Sequence, residues 1–258
     1  MPDPTPAAHP SAEPLADPLA DSLVAEIARR AAAVRDLIAA AAATSGRDAA
    51  AVTLVAVTKT HPAATVRAAL AAGLVDFGEN RVQELAGKAA AMPGHAGGGA
   101  HRWHLIGPVQ RNKARDAVRF ADLVQSVDSV RLADALARHA AEAGRTLAVL
   151  VQVNVSGEAA KSGVAPDAAH DLMAAVAETA GLRLAGVMGV AALAADAADA
   201  ERTVRPAFRR LRTVFDAYAG PGRDGLTTVS MGMSGDVALA VEEGSTLVRV
   251  GTALFGAR

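Results

Sequence analysis

The chain has 258 residues, 51% of them hydrophobic, with a formal net charge of −1: enough apolar side chain for a sizeable core, and no basic excess to draw a nucleic acid. The absence of cysteine removes disulfides, thiolate metal sites and cysteine nucleophiles. No apolar run free of polar breaks is long enough to span a bilayer, so a soluble cytoplasmic protein acting on small molecules is expected.

Residues 1–20 are rich in Pro, Ala and Asp and lack both the basic start and the apolar centre of a signal peptide. They read as a disordered tail, which leaves 21–258 as one domain. From Leu23 to Ala43, apolar residues recur at helical spacing around Glu26, Arg29, Arg30 and Arg35, closed near Gly46. A strand, T-L-V-A-V-T-K at 53–59, follows; then a helix from Ala64 to Ala72 stopped by Gly73, a strand from Val75 to Asn80, and a helix carrying Val82, Leu85 and Ala89. G-H-A-G-G-G-A at 94–100 reads as a loop with no phosphate-loop lysine behind it.

The alternation then continues with strands predicted at 103–107, 123–127, 147–155, 184–190, 227–233 and 246–250. Helices are predicted between them at 112–120, 130–143, 166–180, 200–219 and 235–243. Nearly continuous apolar strands separated by helices imply a parallel sheet covered on its outer face. Eight strands, each but the last followed by a helix, favour a closed (β/α)8 TIM barrel of the α/β class over an open doubly wound sheet. The rival also lacks its fingerprint, since no G-x-G-x-x-G follows the first strand with an acid roughly twenty positions on.

In such a barrel, chemistry sits where strands run out into loops. Lys59 closes the first strand, and alternation sets it on the face of Val55 and Val57; there it is either a partly desolvated amine able to attack carbonyls or a lysine snorkelling into solvent. Asn80, His104 and Asn154 stand near other strand ends, where a helix cap, a satisfied core histidine and a turn former are the plain alternatives. Ser234 and Gly235 open the helix after strand seven, and Gly251 and Thr252 follow strand eight, the region where barrels of this type hold phosphate. Arg249, centred in the apolar run T-L-V-R-V, needs a partner: a ligand ring, or a core acid such as Glu79 or Asp128. A lysine for an imine, a phosphate cradle and a charged partner for a ring nitrogen together describe pyridoxal phosphate.

Six motifs in order carry a family resemblance: A-V-T-K-T, F-G-E-N-R-V-Q-E, W-H-L-I-G-P-V-Q-R-N-K, Q-V-N-V-S-G-E-A-A-K-S-G, S-M-G-M-S-G-D and V-R-V-G-T-A-L-F-G-A-R. From about residue 22 onward the chain resembles the pyridoxal phosphate homeostasis proteins of YggS/PROSC type. The resemblance implies a single-domain, fold-type III barrel like the N-terminal domain of alanine racemase, with pyridoxal 5'-phosphate as an imine on Lys59. It further implies Arg249 against the pyridine nitrogen, Ser234, Gly251 and Thr252 at the phosphate, and Asn80 and Asn154 lining the mouth. The departures are a longer N-terminal tail, the glycine-rich insert, and G-V-M-G-V where relatives often carry a different residue after the methionine.

Two functions compete. Racemisation needs a second positioned acid–base group, and the sole tyrosine, Tyr218, falls late in a predicted helix, with no added domain before the chain ends at Arg258. The preferred reading is a non-enzymatic carrier that buffers and delivers the cofactor, with apo forms of enzymes that use it as partners and neither nucleic acid nor membrane involved. A monomer is expected. Lys161, in A-A-K-S-G, is either a transient acceptor of the cofactor or an ordinary loop lysine.

Overall fold

The computed structural model describes residues 18–92, 101–158, 161–220, 223 and 225–256. Helix α1 (Pro18–Thr44) comes first, so regular structure begins inside the stretch expected to be a tail. The remainder of that stretch, and the glycine-rich loop at 94–100, lie outside the described residues.

The strands are β1 (Thr53–Val57), β2 (Asp76–Glu79), β3 (Arg102–Leu105), β4 (Leu123–Val127), β5 (Leu147–Val153), β6 (Leu182–Gly189), β7 (Thr228–Ser230) and β8 (Leu247–Val250). Between them run α2 (Ala63–Ala71), α3 (Val82–Ala90), α4 (Ala114–Phe120), α5 (Val130–Glu142), α6 (Ala169–Glu178), the single turn α7 (Ala197–Asp199), α8 (Arg205–Tyr218) and α9 (Val237–Glu242). A short α10 (Thr252–Phe255) after β8 was not expected from the periodicity. Each strand pairs in parallel with the next, and β1 pairs with β8, matching Val55 to Arg249; the sheet therefore closes, and the open doubly wound alternative is excluded.

Two layers of side chains follow from the strand alternation. Outward-facing residues such as Phe77, Trp103, Leu105 and Val151 merge with the buried stripes of the helices into one large core. Within it the Phe77 and Trp103 rings lie 5.6 Å apart. Inward-facing Leu150, Ala185 and Met188 form a separate small apolar cluster. The interior also holds polar groups: Asp76, His104, Gln125, Ser230 and Arg249 are all buried.

α1 presents Ile27, Ala31, Val34, Ile38 and Ala41 at helical spacing, all buried. It packs on α2, α9 and α10, the helices flanking the junction of β1 with β8. Arg47, just after it, donates to the carbonyls of Val241 (2.6 Å) and Ser245 (2.8 Å). The long first helix thus covers the seam where the two ends of the sheet meet.

β1 stops at Val57, and this moves Lys59 off the strand onto the turn that follows it. The alternation argument therefore does not govern its side chain, which is exposed rather than partly desolvated. Helix α9 begins only at Val237, so Ser234 and Gly235 belong to the preceding turn.

Candidate functional site

The turn bearing Lys59 is fastened on both sides. Thr58 donates its hydroxyl to Glu79 Oε1 (2.6 Å), and Lys88, from α3, donates to the Thr58 carbonyl (2.7 Å) and to Glu79 Oε1 (2.5 Å). Glu79 is fully buried; burial pushes its carboxyl up, against the pull of Lys88 and Thr58. On the other side, Thr60 sits at φ 65°, a region that β-branched residues avoid, and its N–H donates to Glu84 Oε2 (2.7 Å). Lys59 is therefore carried between two anchored residues while its own side chain reaches the rim.

A chamber of about 550 Å3 opens at the C-terminal ends of the strands. It is lined by Lys59, Asn80, Ser234, Arg249, Gly251 and Thr252, six of the seven expected site residues. Asn154 is not in the lining; its side-chain amide donates to the carbonyls of Glu158 (2.8 Å) and Lys161 (3.3 Å), and so it shapes the loop after β5. Lys161 itself lines the chamber and pairs with Glu158 at 2.7 Å.

The loops after β7 and β8 meet at one oxygen. The N–H groups of Gly251 and Ala253 both point at Ser234 Oγ, each at 3.3 Å, which is long for this bond. Asn80 owes its position to Gly107, because a Cβ on residue 107 would lie 2.2 Å from the Asn80 carbonyl oxygen. Only glycine permits that approach.

Arg249 forms the floor. It is 3% exposed and donates to Ser230 Oγ (2.5 Å) and to the Gly189 carbonyl (2.9 Å), with no carboxylate ion pair among the described residues. Glu79 is engaged by Lys88, so it is not the core acid weighed for Arg249. Burial draws the guanidinium pKa down to about 10, and Asp236 pulls the other way, so it is charged at neutral pH. His104 is a satisfied interior histidine, bonded to Asp76 (2.9 Å) and Gln125 (3.0 Å).

Sequence reasoning passed over Gln152. It is 7% exposed, lines the chamber, and donates Nε2 to the Ser162 carbonyl (3.1 Å), while Oε1 is buried without a hydrogen-bond partner among the described residues. The signal was available, since Gln152 stands two residues before Asn154 in an alternating strand.

A closed parallel barrel with a chamber at the C-terminal strand ends is the architecture of a known domain class. A family model described as the alanine racemase N-terminal domain matches residues 31–258. The pyridoxal phosphate homeostasis protein of Pseudomonas aeruginosa is 46% identical over 234 residues, covering 90% of this chain and 94% of that one. The Escherichia coli protein of the same name is 39% identical, covering 90% and 97%. The structure of PipY from Synechococcus elongatus with PLP bound superposes with a TM-score of 0.74 at 37% identity, covering 89% of this chain and 100% of that one. The chain belongs to the alanine racemase N-terminal domain family and, within it, to the pyridoxal phosphate homeostasis proteins.

Proposed function

We propose that this protein binds pyridoxal 5'-phosphate in the mouth chamber as an exchangeable imine (Schiff base) on Lys59, and thereby buffers the cofactor and delivers it to enzymes that need it. The observation carrying this reading is the convergence of Lys59, Arg249 and the Ser234–Gly251–Ala253 cluster on one chamber of about 550 Å3. The cofactor supplies an aldehyde, which condenses with a primary amine and releases one water, a step that water or another amine reverses.

Each residue has a part. The exposed Lys59 amine is accessible to exchange, as a carrier requires. The amides that meet at Ser234 Oγ are donors already aimed at one oxygen, an arrangement a phosphate oxygen can share. Arg249 puts a buried positive charge against the ring, which opposes protonation of the pyridine nitrogen and leaves the ring a weaker electron sink. Gln152 Oε1 offers a buried acceptor that has no partner among the described residues. The sole tyrosine, Tyr218, is buried on α8 under Arg223, whose guanidinium lies 3.7 Å from the ring centre, and it does not line the chamber.

Adding pyridoxal phosphate should give a yellow protein; borohydride should bleach it and leave a mass increment on Lys59, and Lys59→Ala should stay colourless. The loaded protein should also restore activity to an apo-enzyme. A mass increment elsewhere would remove Lys59 from its role, and amino-acid racemisation well above the free-cofactor background would replace delivery with catalysis.

A further inference from the structure

The barrel interior carries an unbroken hydrogen-bonded chain that the proposed function does not use. Starting beneath the chamber, Arg249 Nη1 donates to Ser230 Oγ (2.5 Å), and Ser230 donates to Gln125 Oε1 (2.7 Å). Gln125 Nε2 lies 3.0 Å from His104 Nδ1, and His104 Nε2 lies 2.9 Å from Asp76 Oδ1. Asp76 in turn accepts both arms of Arg102, at 2.7 Å each. β4 and β7 are not neighbours, so the Ser230–Gln125 bond crosses the hollow of the barrel.

The direction of donation is determined at every step. Arg249 can only donate, so Ser230 must pass its own proton to Gln125 Oε1; the Gln125 amide then turns Nε2 toward His104, whose Nδ1 accepts and whose Nε2–H faces Asp76. Gln125 and Ser230 are 0% exposed, so any reversal strands a buried polar atom. The far end, Arg102, has a side chain 61% exposed. With Asp76 it lines a second cavity, of about 520 Å3, at the N-terminal ends of the strands.

We infer that Ser230, Gln125 and His104 are positioning residues for Arg249: they fix its guanidinium with neutral dipoles, and the chain reaches a carboxylate, Asp76, only at the opposite end of the barrel, where Arg102 pairs with it. The inference rests on the reading that the cofactor lies against Arg249. A carboxylate placed directly on Arg249 would orient it equally well but cancel the charge presented to the ring. The chain separates those two effects, giving orientation without neutralisation.

The test uses Ser230→Ala and Gln125→Met, which interrupt the chain, and Gln125→Glu, which keeps an oxygen to accept from Ser230 but puts a carboxyl group where the neutral amide stood. In ligand-free protein, NMR of the arginine side chains should show separate, slowly averaged Nη resonances for Arg249, identified by their loss in Arg249→Lys. In Ser230→Ala and Gln125→Met they should average. With pyridoxal phosphate loaded, the same two variants should show a displaced imine absorbance band and release about fivefold faster, the equivalent of one hydrogen bond. Gln125→Glu should keep the separate Nη resonances, because Ser230 still has an oxygen to donate to, but should displace the imine band, because it brings a carboxyl group toward Arg249. Unchanged Nη resonances and release, with only a lowered melting temperature, would reduce the chain to core packing and overturn the inference. Should Gln125→Met not fold, Ser230→Ala, which deletes one oxygen, decides alone. A wild-type protein that forms no imine band overturns the cofactor reading and this inference together, whereas a wild-type band that is unaltered in the variants, with unaltered release, overturns this inference alone.

Discussion

Gly107 shows how little room single positions have. Gly107→Ala would push its methyl to within 2.2 Å of the Asn80 carbonyl oxygen, so the loop after β2 must move and carry Asn80 out of the chamber wall. The expected outcome is weaker pyridoxal phosphate binding by titration with a smaller loss of thermal stability; a binding curve matching wild type would show that Asn80 does not contribute. Asp76 makes a different prediction. Burial opposes its ionisation, but the hydrogen bonds from His104 and Arg102 outweigh that and hold its carboxyl below the ordinary range. A depressed folded-state pKa stabilises the fold above the unfolded value and loses that contribution as pH falls through the folded one. Arg102→Met should therefore move acid unfolding, followed by circular dichroism, to higher pH; an unmoved midpoint would assign Asp76's hold to His104 alone. At this scale the sequence was only partly legible. Lys59, Arg249 and Ser234 could be singled out by residue type and place, and the structure brings them to one chamber, whereas the contacts of Asp76, Gln125 and Ser230 depend on partners up to 105 positions away.

Among elements, the turn after β1 is the informative one. The alternation in T-L-V-A-V-T-K runs on to Lys59, and one more ladder bond does form, from Thr58 N–H to the Gly78 carbonyl (3.0 Å). Nothing local announces the break at Thr60, because what holds its left-handed conformation is a carboxylate 24 residues later, on α3. The strand ends were misjudged for the same reason elsewhere: side-chain patterns report which face is buried, and ladder ends depend on loops. α3 also supplies Lys88 to the buried Glu79. Lys88→Met would leave that carboxylate enclosed and unpaired, at a cost of about 3–5 kcal/mol. Denaturant unfolding should show the loss and pyridoxal phosphate affinity should fall with it, since both neighbours of Lys59 are held from α3. A stability change below about 1 kcal/mol would mean that Glu79 is protonated and never needed the ammonium.

Across the whole molecule, the count of eight strand–helix units was readable from periodicity alone, because buried parallel strands and amphipathic helices leave unlike patterns. The closure of the ring was expected from that count and from no local signal. It depends on β1 meeting β8 and on α1 covering that meeting, and neither contact has a local signature. Arg47 is the rivet, serving two carbonyls with one guanidinium. Arg47→Ala should cost about 1–3 kcal/mol by removing both donors. Hydrogen exchange should then accelerate first along α9 and β8; uniform acceleration over all eight strands would show instead that the ring opens only as a unit.

The meeting of the first strand with the last sets an order of events during synthesis. While the ribosome works through the chain, the free edge of β1 has no mate, and its backbone groups stay open to wrong pairings until β8 emerges. α1 cannot seal that edge early, because of the three helices it packs on only α2 is made early, while α9 and α10 leave the ribosome last, so the first helix finds its full seat only as the last strand closes the ring.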